Sequence, residues 1–201
     1  PDYSVTPVKP SAAEDADNEY IEPFADIQSA KWAEDALLYM KKTGAMTGTN
    51  NYANPNDSIT RAEMIKLAVC AFSFDGGKAV SFSDSDGEWW SGYAASAAEA
   101  GIASGYPDGS FRGNSRITRE DSAVILSRII EKKNITLYES NADGLFSDES
   151  DISDYALSAV REMKSFGILS GIGKNLFAPK KNVTRAEAAQ MIYNIIKKGQ
   201  S

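Results

Sequence analysis

The chain has 201 residues, 42% hydrophobic and 24% charged, which is enough apolar content to bury a core; its net charge of −7 argues against nucleic acid as the main partner. It has no histidine and a single cysteine, Cys70, which rules out His-based acid–base catalysis, Ser-His-Asp triads, His-ligated zinc and an internal disulfide. No apolar run approaches the ~20 residues a bilayer span needs.

Residues 1–22 carry six acids against Lys9 alone and read as a solvated acidic arm or linker, with too little apolar surface to offset ordering. The stretch "PDYSVTPVKP" lacks the basic start and apolar run of a signal peptide, a feature that mature secreted fragments share.

After the arm the chain repeats itself. A Phe-x-Asp triplet opens each unit at Phe24–Asp26, Phe82–Asp84 and Phe146–Asp148. Next come an aromatic (Trp32, Trp90, Tyr155), glycines four apart (Gly44 and Gly48, Gly101 and Gly105, Gly167 and Gly171) and an aromatic again (Tyr52, Phe111, Phe177). Each unit ends on a β-branched residue followed by Thr-Arg: "ITRAE", "ITRED" and "VTRAE". Three units follow from this order: residues 23–80, 81–140 and 141–201.

Each unit reads as helix, loop, helix. In the first, Trp32, Ala36, Leu37 and Met40 share a helical face, and "KKTG" places basic residues in the last turn with glycine after it. The loops are rich in Gly, Asn, Pro and Asp, with a Pro-Asp-Gly turn in "GYPDGSFRGN". The second helix of each unit begins at the threonine, and Cys70 falls in the apolar run "MIKLAVCAF", where a buried, inert thiol is expected. Neither helix alone has enough apolar face, so the units must pack on one another as a pseudo-threefold bundle or a short solenoid.

Thr60, Thr118 and Thr184 are expected N-caps, with Glu63 and Glu187 completing capping boxes and Asp121 in that place in the second copy. The arginines that follow (Arg61, Arg119, Arg185) are not explained by helix chemistry, because the positive end of the helix dipole disfavours a cation there. Two readings stay open: an ion pair to Asp26, Asp84 or Asp148 of a neighbouring unit, or capture of an outside anion by the guanidinium together with free amides of the first turn. The aromatics serve as core or as a face for a sugar ring, and the glycines as turns or as close-approach points for a ligand.

These motifs resemble the surface-layer homology (SLH) domain in its usual triplet, over about residues 23–198. The resemblance implies an all-α, three-pronged, pseudo-threefold spindle around a central three-helix bundle. It also implies non-covalent anchoring of an extracellular protein, fused to a cargo or S-layer domain, to the bacterial cell wall. The partner would be an anionic, pyruvylated secondary cell-wall polysaccharide held in grooves between repeats. Matched by motif, the ligand-contacting positions would be Arg61, Arg119 and Arg185, Asp26, Asp84 and Asp148, Trp32 and Trp90, and Gly48, Gly105 and Gly171.

Only the second copy keeps the "GYPDGSF" loop, so grooves built from the first and third copies are expected to differ in specificity, with Lys174 and Lys180 as extra cations. Three near-identical sites argue for binding rather than catalysis, and neither "DSDGE" nor "DESDISD" has the ligand spacing of a calcium loop. The expectation is therefore a non-enzymatic module without metal or cofactor. A helical-repeat protein-interaction scaffold is the alternative.

Overall fold

A computed structural model describes residues 21–74, 76, 80–140 and 145–200. All but the last two residues of the acidic arm lie outside that range. Among the described residues six α-helices occur as three pairs: α1 (Glu34–Lys42) and α2 (Arg61–Ala71), α3 (Ser91–Glu99) and α4 (Arg119–Lys132), α5 (Asp154–Ser165) and α6 (Arg185–Gly199). Among the described residues there is no β-strand, only isolated bridges.

The helix boundaries follow from local chemistry. Thr60, Thr118 and Thr184 sit in extended backbone, and each hydroxyl accepts the N–H three residues on at 3.2 Å. Such a cap contributes about 1 kcal/mol. Glu63 and Glu187 close full capping boxes by accepting the Thr60 and Thr184 amides at 2.8 Å. The first helix of each pair stops where Gly44, Gly101 and Gly167 take positive φ (+70, +74 and +64°), the left-handed turn that glycine adopts without steric cost.

The expected first-helix face holds in part. Ala36, Leu37 and Met40 are buried in α1, but Trp32 lies ahead of it, in a 3₁₀ segment (Ile27–Ala33), and is exposed. Cys70 is half-buried, and loss of solvent raises its thiol pKa despite nearby Lys66.

The three pairs close on themselves. The β-branched residues before the caps form a triangle of main-chain bonds: Ile59 N–H to Val183 C=O (2.9 Å), Val183 N–H to Ile117 C=O (3.0 Å), and Ile117 N–H to Ile59 C=O (3.3 Å). All three side chains are buried. Around this centre α2 packs on α3, α4 on α5 and α6 on α1, and α6 also meets α2 and α4. A solenoid leaves its first and last repeats unjoined; here the third repeat returns to the first, so the bundle alternative is the one realised.

The first-turn amides take part in the same closure. Arg61 and Ala62 donate to Ser115 and Gly113, Arg119 and Glu120 to Lys181 and Pro179, and Arg185 and Ala186 to Asp57 and Pro55, all at 2.8–3.1 Å. Each helix N-terminus is thus satisfied by the loop of the next repeat.

Candidate functional site: three grooves at the repeat joints

Each joint gathers parts from all three repeats. In groove 1 the loop Ala45–Thr49 and α2 of the first repeat meet Arg185 of the third and Trp89 of the second, around a cavity of about 440 Å³. In groove 3 the loop Ile168–Ile172 and α6 of the third repeat meet Arg119 of the second and Trp32 of the first, around about 140 Å³. By the same correspondence groove 2 joins the loop of residues 102–106 and α4 to Arg61 of the first repeat and Tyr155 of the third.

The arginines reach across the joints. Arg119 is buried; its Nε donates to Phe177 C=O (2.7 Å) and its Nη2 to Ser170 C=O (3.0 Å), while Nη1 lies 3.6 Å from Glu187. Arg185 donates from Nε to Ala53 C=O (2.7 Å) and from Nη1 to Glu63 (2.6 Å). Arg61 donates to Ser104 C=O (2.8 Å) and stands 4.8 Å from the centre of the Phe111 ring, but among the described residues no acid lies within ion-pair distance of it. Desolvation lowers the pKa of both Arg61 and Arg119.

Two expectations are corrected here. The acid that meets Arg119 and Arg185 is the capping glutamate of the next repeat, not Asp26, Asp84 or Asp148. The first-turn amides, already satisfied by neighbouring carbonyls, hold no outside anion.

The Phe-x-Asp aspartates fasten loops. Asp26 accepts the amides of Ala53 and Asn54 (2.9 and 2.7 Å), Asp84 those of Phe111 and Arg112 (2.7 and 2.8 Å), and Asp148 those of Phe177 and Ala178 (both 2.7 Å). These clamps align Ala53 with Phe111 and Phe177, so Tyr52 stands one place off the aromatic register on which the sequence reading set it. Half-exposed Tyr52 lines groove 1 instead.

The glycines of the loops are packing requirements. A Cβ on Gly48 would sit 2.8 Å from the Phe24 ring, and one on Gly105 2.7 Å from Phe82. Gly48 and Gly171 nevertheless line their grooves.

Trp90 is a further correction. It is buried (1% exposed), stacked on Phe111 at 5.5 Å and pressed against Gly113. Its neighbour Trp89 (45% exposed) lines groove 1. The signal that finds it is the glycine: Trp32, Trp89 and Tyr155 each stand twelve residues before Gly44, Gly101 and Gly167. Trp32 and Tyr155 are both 61% exposed.

The second motif also diverges structurally. Glu120 replaces the alanine at position 62 or 186, is buried, and accepts from Ser153 N–H (3.0 Å), Tyr155 Oη (3.2 Å) and Lys180 Nζ (2.5 Å). Burial alone would raise its pKa; the Lys180 ammonium and the Ser153 donors outweigh that and hold it below the usual glutamate value. Lys180 is therefore engaged internally.

The profile of the S-layer homology domain matches residues 23–65, 81–123 and 145–189. The chain is 36% identical over 186 residues to an amylopullulanase of Thermoanaerobacterium thermosulfurigenes, covering 90% of the chain and 10% of that protein. It is 34% identical to exoglucanase XynX of Acetivibrio thermocellus, over 89% of the chain and 16% of that protein. With the S-layer protein sap of Bacillus anthracis the identity is 27%, over 84% of the chain and 20% of that protein. The chain thus spans a tenth to a fifth of the length of these relatives.

Proposed function

The chain belongs to the S-layer homology domain family, and on that premise we propose that it anchors a longer protein to the bacterial cell surface by binding an anionic, pyruvylated wall polysaccharide in its grooves. Amylopullulanase, exoglucanase and S-layer protein relatives share this part while differing in the remainder, which supports a carrier module whose cargo varies. The chain itself performs no catalysis; chemistry belongs to the cargo.

The observation that carries the reading is the recurrence of one arrangement at the joints: an exposed aromatic, an arginine and a glycine-bearing loop, contributed by three different repeats. An aromatic face suits the apolar side of a sugar ring, and a cation beside it suits an acidic substituent. Groove 1, at about 440 Å³, falls in the size range of small-ligand sites.

On this reading Arg61, Arg119 and Arg185 line the groove floors, with Arg119 acting chiefly as a tie. Trp32, Trp89 and Tyr155 supply the stacking faces, and Gly48, Gly105 and Gly171 let the loops come close. Asp26, Asp84 and Asp148 shape those loops. Trp90 supports them from the core.

Sedimentation with purified wall fragments tests this. Binding is expected to fall at least tenfold when the polysaccharide is stripped or its pyruvate removed by mild acid. Trp89→Ala should weaken it roughly three- to tenfold. Undiminished binding to stripped peptidoglycan would overturn the reading.

A further inference from the structure

The three grooves share a plan but not an electrostatic state. In grooves 1 and 3 the arginine meets the capping glutamate of the adjoining helix, Glu63 at 2.6 Å and Glu187 at 3.6 Å. In groove 2 that acid is Asp121, one methylene shorter. Its carboxylate is engaged elsewhere, accepting from Thr118 Oγ1 (2.7 Å) and Tyr155 Oη (2.8 Å). Arg61 is left with one backbone acceptor and two aromatic faces, Phe111 at 4.8 Å and Tyr106 at 5.5 Å, and its Nε is buried without a hydrogen-bond partner. A buried donor left unmet is unfavourable, and more so on a charged group.

By correspondence with groove 3, a second cation falls at the same place. Asn194, nine residues after Arg185, lines groove 3. Nine residues after Arg119 on α4 stands Arg128, half-buried, and nine after Arg61 stands Cys70. Arg128 is close enough to Arg61 that its charge disfavours Arg61's, and among the described residues neither has a carboxylate within ion-pair distance. Two guanidinium groups near each other, neither of them paired with an acid, can converge on a single oxyanion.

We propose that groove 2 is the acid-selective site of the module, where a carboxylate of the bound saccharide is held between Arg61 and Arg128, while grooves 1 and 3 hold sugar rings without reading their charge. This rests on the wall-polysaccharide reading and adds to it which groove recognises the acidic substituent and that Arg128, outside the repeated motif, determines specificity. Groove 1 also carries Lys66 and Arg116, but its motif arginine, Arg185, is already neutralised by Glu63, Arg116 donates to Ser58 C=O, and a flexible ammonium offers a point charge in place of a planar fork.

Calorimetric titration of the described chain separates the possibilities, using a saccharide bearing a pyruvate ketal, its depyruvylated parent, and the parent carrying a phosphate ester. The wild type should prefer the pyruvylated sugar. Arg128→Asn, which installs the residue of groove 3, should weaken that sugar about tenfold, leave the depyruvylated parent unchanged, and reduce the salt dependence. Arg128→Lys should keep part of the preference, and Lys66→Ala and Arg116→Ala all of it. Thermal unfolding of each variant checks that the fold is retained, and should Arg128→Asn not fold, Arg128→Lys and the salt dependence decide.

A pyruvate preference that survives Arg128→Asn, or that moves to Lys66→Ala, overturns the assignment to groove 2 while the anchoring reading stands. No pyruvate preference in the wild type removes the pyruvate reading. In that case Arg128-dependent binding of the phosphate ester would keep the two-arginine site with phosphate as its anion, and Arg128-independent binding would remove the site too.

Discussion

The joint between the first and second repeats and the joint between the second and third have the same main-chain plan and opposite fillings. At the first, Ala62 starts its helix against Gly113, over which the Trp90 ring lies; Arg61 has no acid among the described residues within ion-pair distance. At the second, the corresponding residues are Glu120 and Ala156: the indole is gone, and a buried carboxylate takes Ser153, Tyr155 and Lys180 while Arg119 meets Glu187. One joint is closed by apolar volume and leaves its cation available. The other is closed by charge and uses its cation internally. Repetition of the motif therefore does not imply repetition of the role.

Truncating each filling should expose this difference, and the largest effect is expected from Trp90→Ala. Removing a fully buried indole beside Phe111 should cost about 3–5 kcal/mol in urea unfolding. Trp89→Ala, one residue away, should stay within about 0.5 kcal/mol because the ring is half-exposed. Equal costs for the two tryptophans would refute the register drawn here.

Arg119→Ala comes next, at about 3 kcal/mol, since it leaves Glu187 in a joint built around a buried cation and strands the carbonyls of Phe177 and Ser170. Arg61→Ala should cost only about 1 kcal/mol, with one hydrogen bond lost. Similar losses at both would show that the two joints are electrostatically alike after all.

Glu120 gives the charged joint a pH signature. Its pKa in the fold lies below the ordinary glutamate value of 4.5, so its stabilisation is present above that value and is lost as pH falls through the folded pKa. Urea unfolding followed from pH 7 downward should show a decline below about pH 4.5 that Glu120→Gln flattens. A variant curve parallel to the wild type's would remove Glu120 as the source.

How much of this the sequence disclosed depends on how local each feature is. The Thr60, Thr118 and Thr184 caps and the glycine stops were legible because their partners lie within a few residues. The aspartates were visible as landmarks, but their task was not, since the amides they accept lie 27 to 30 residues downstream. Counting from the arginines favoured Trp90 because the loop from Gly48 to Ala53 is one residue shorter than those from Gly105 to Phe111 and from Gly171 to Phe177; counting from the glycines places Trp89 with Trp32 and Tyr155. The ring of Ile59, Ile117 and Val183 could not be read locally, because closure joins residues more than 120 positions apart.

The smallest expected effect tests the comparison most closely. Asp121→Glu restores the side chain that the other two motifs carry. Glu63 shows what that longer arm does: one oxygen accepts the cap amide at 2.8 Å while the other meets Arg185 at 2.6 Å. The same geometry at position 121 would accept the Thr118 amide and reach Arg61, at the loss of the Tyr155 hydrogen bond that Asp121 accepts now. A gained ion pair and box set against two lost hydrogen bonds, from Tyr155 Oη and Thr118 Oγ1, should leave stability within about 1 kcal/mol of wild type. Arg61 would then be neutralised as Arg185 is, and affinity for an acidic saccharide should drop severalfold while affinity for a neutral one holds. If instead the acidic sugar binds Asp121→Glu as tightly as wild type, the missing methylene is not what keeps Arg61 available, and the difference between the joints lies in their packing alone.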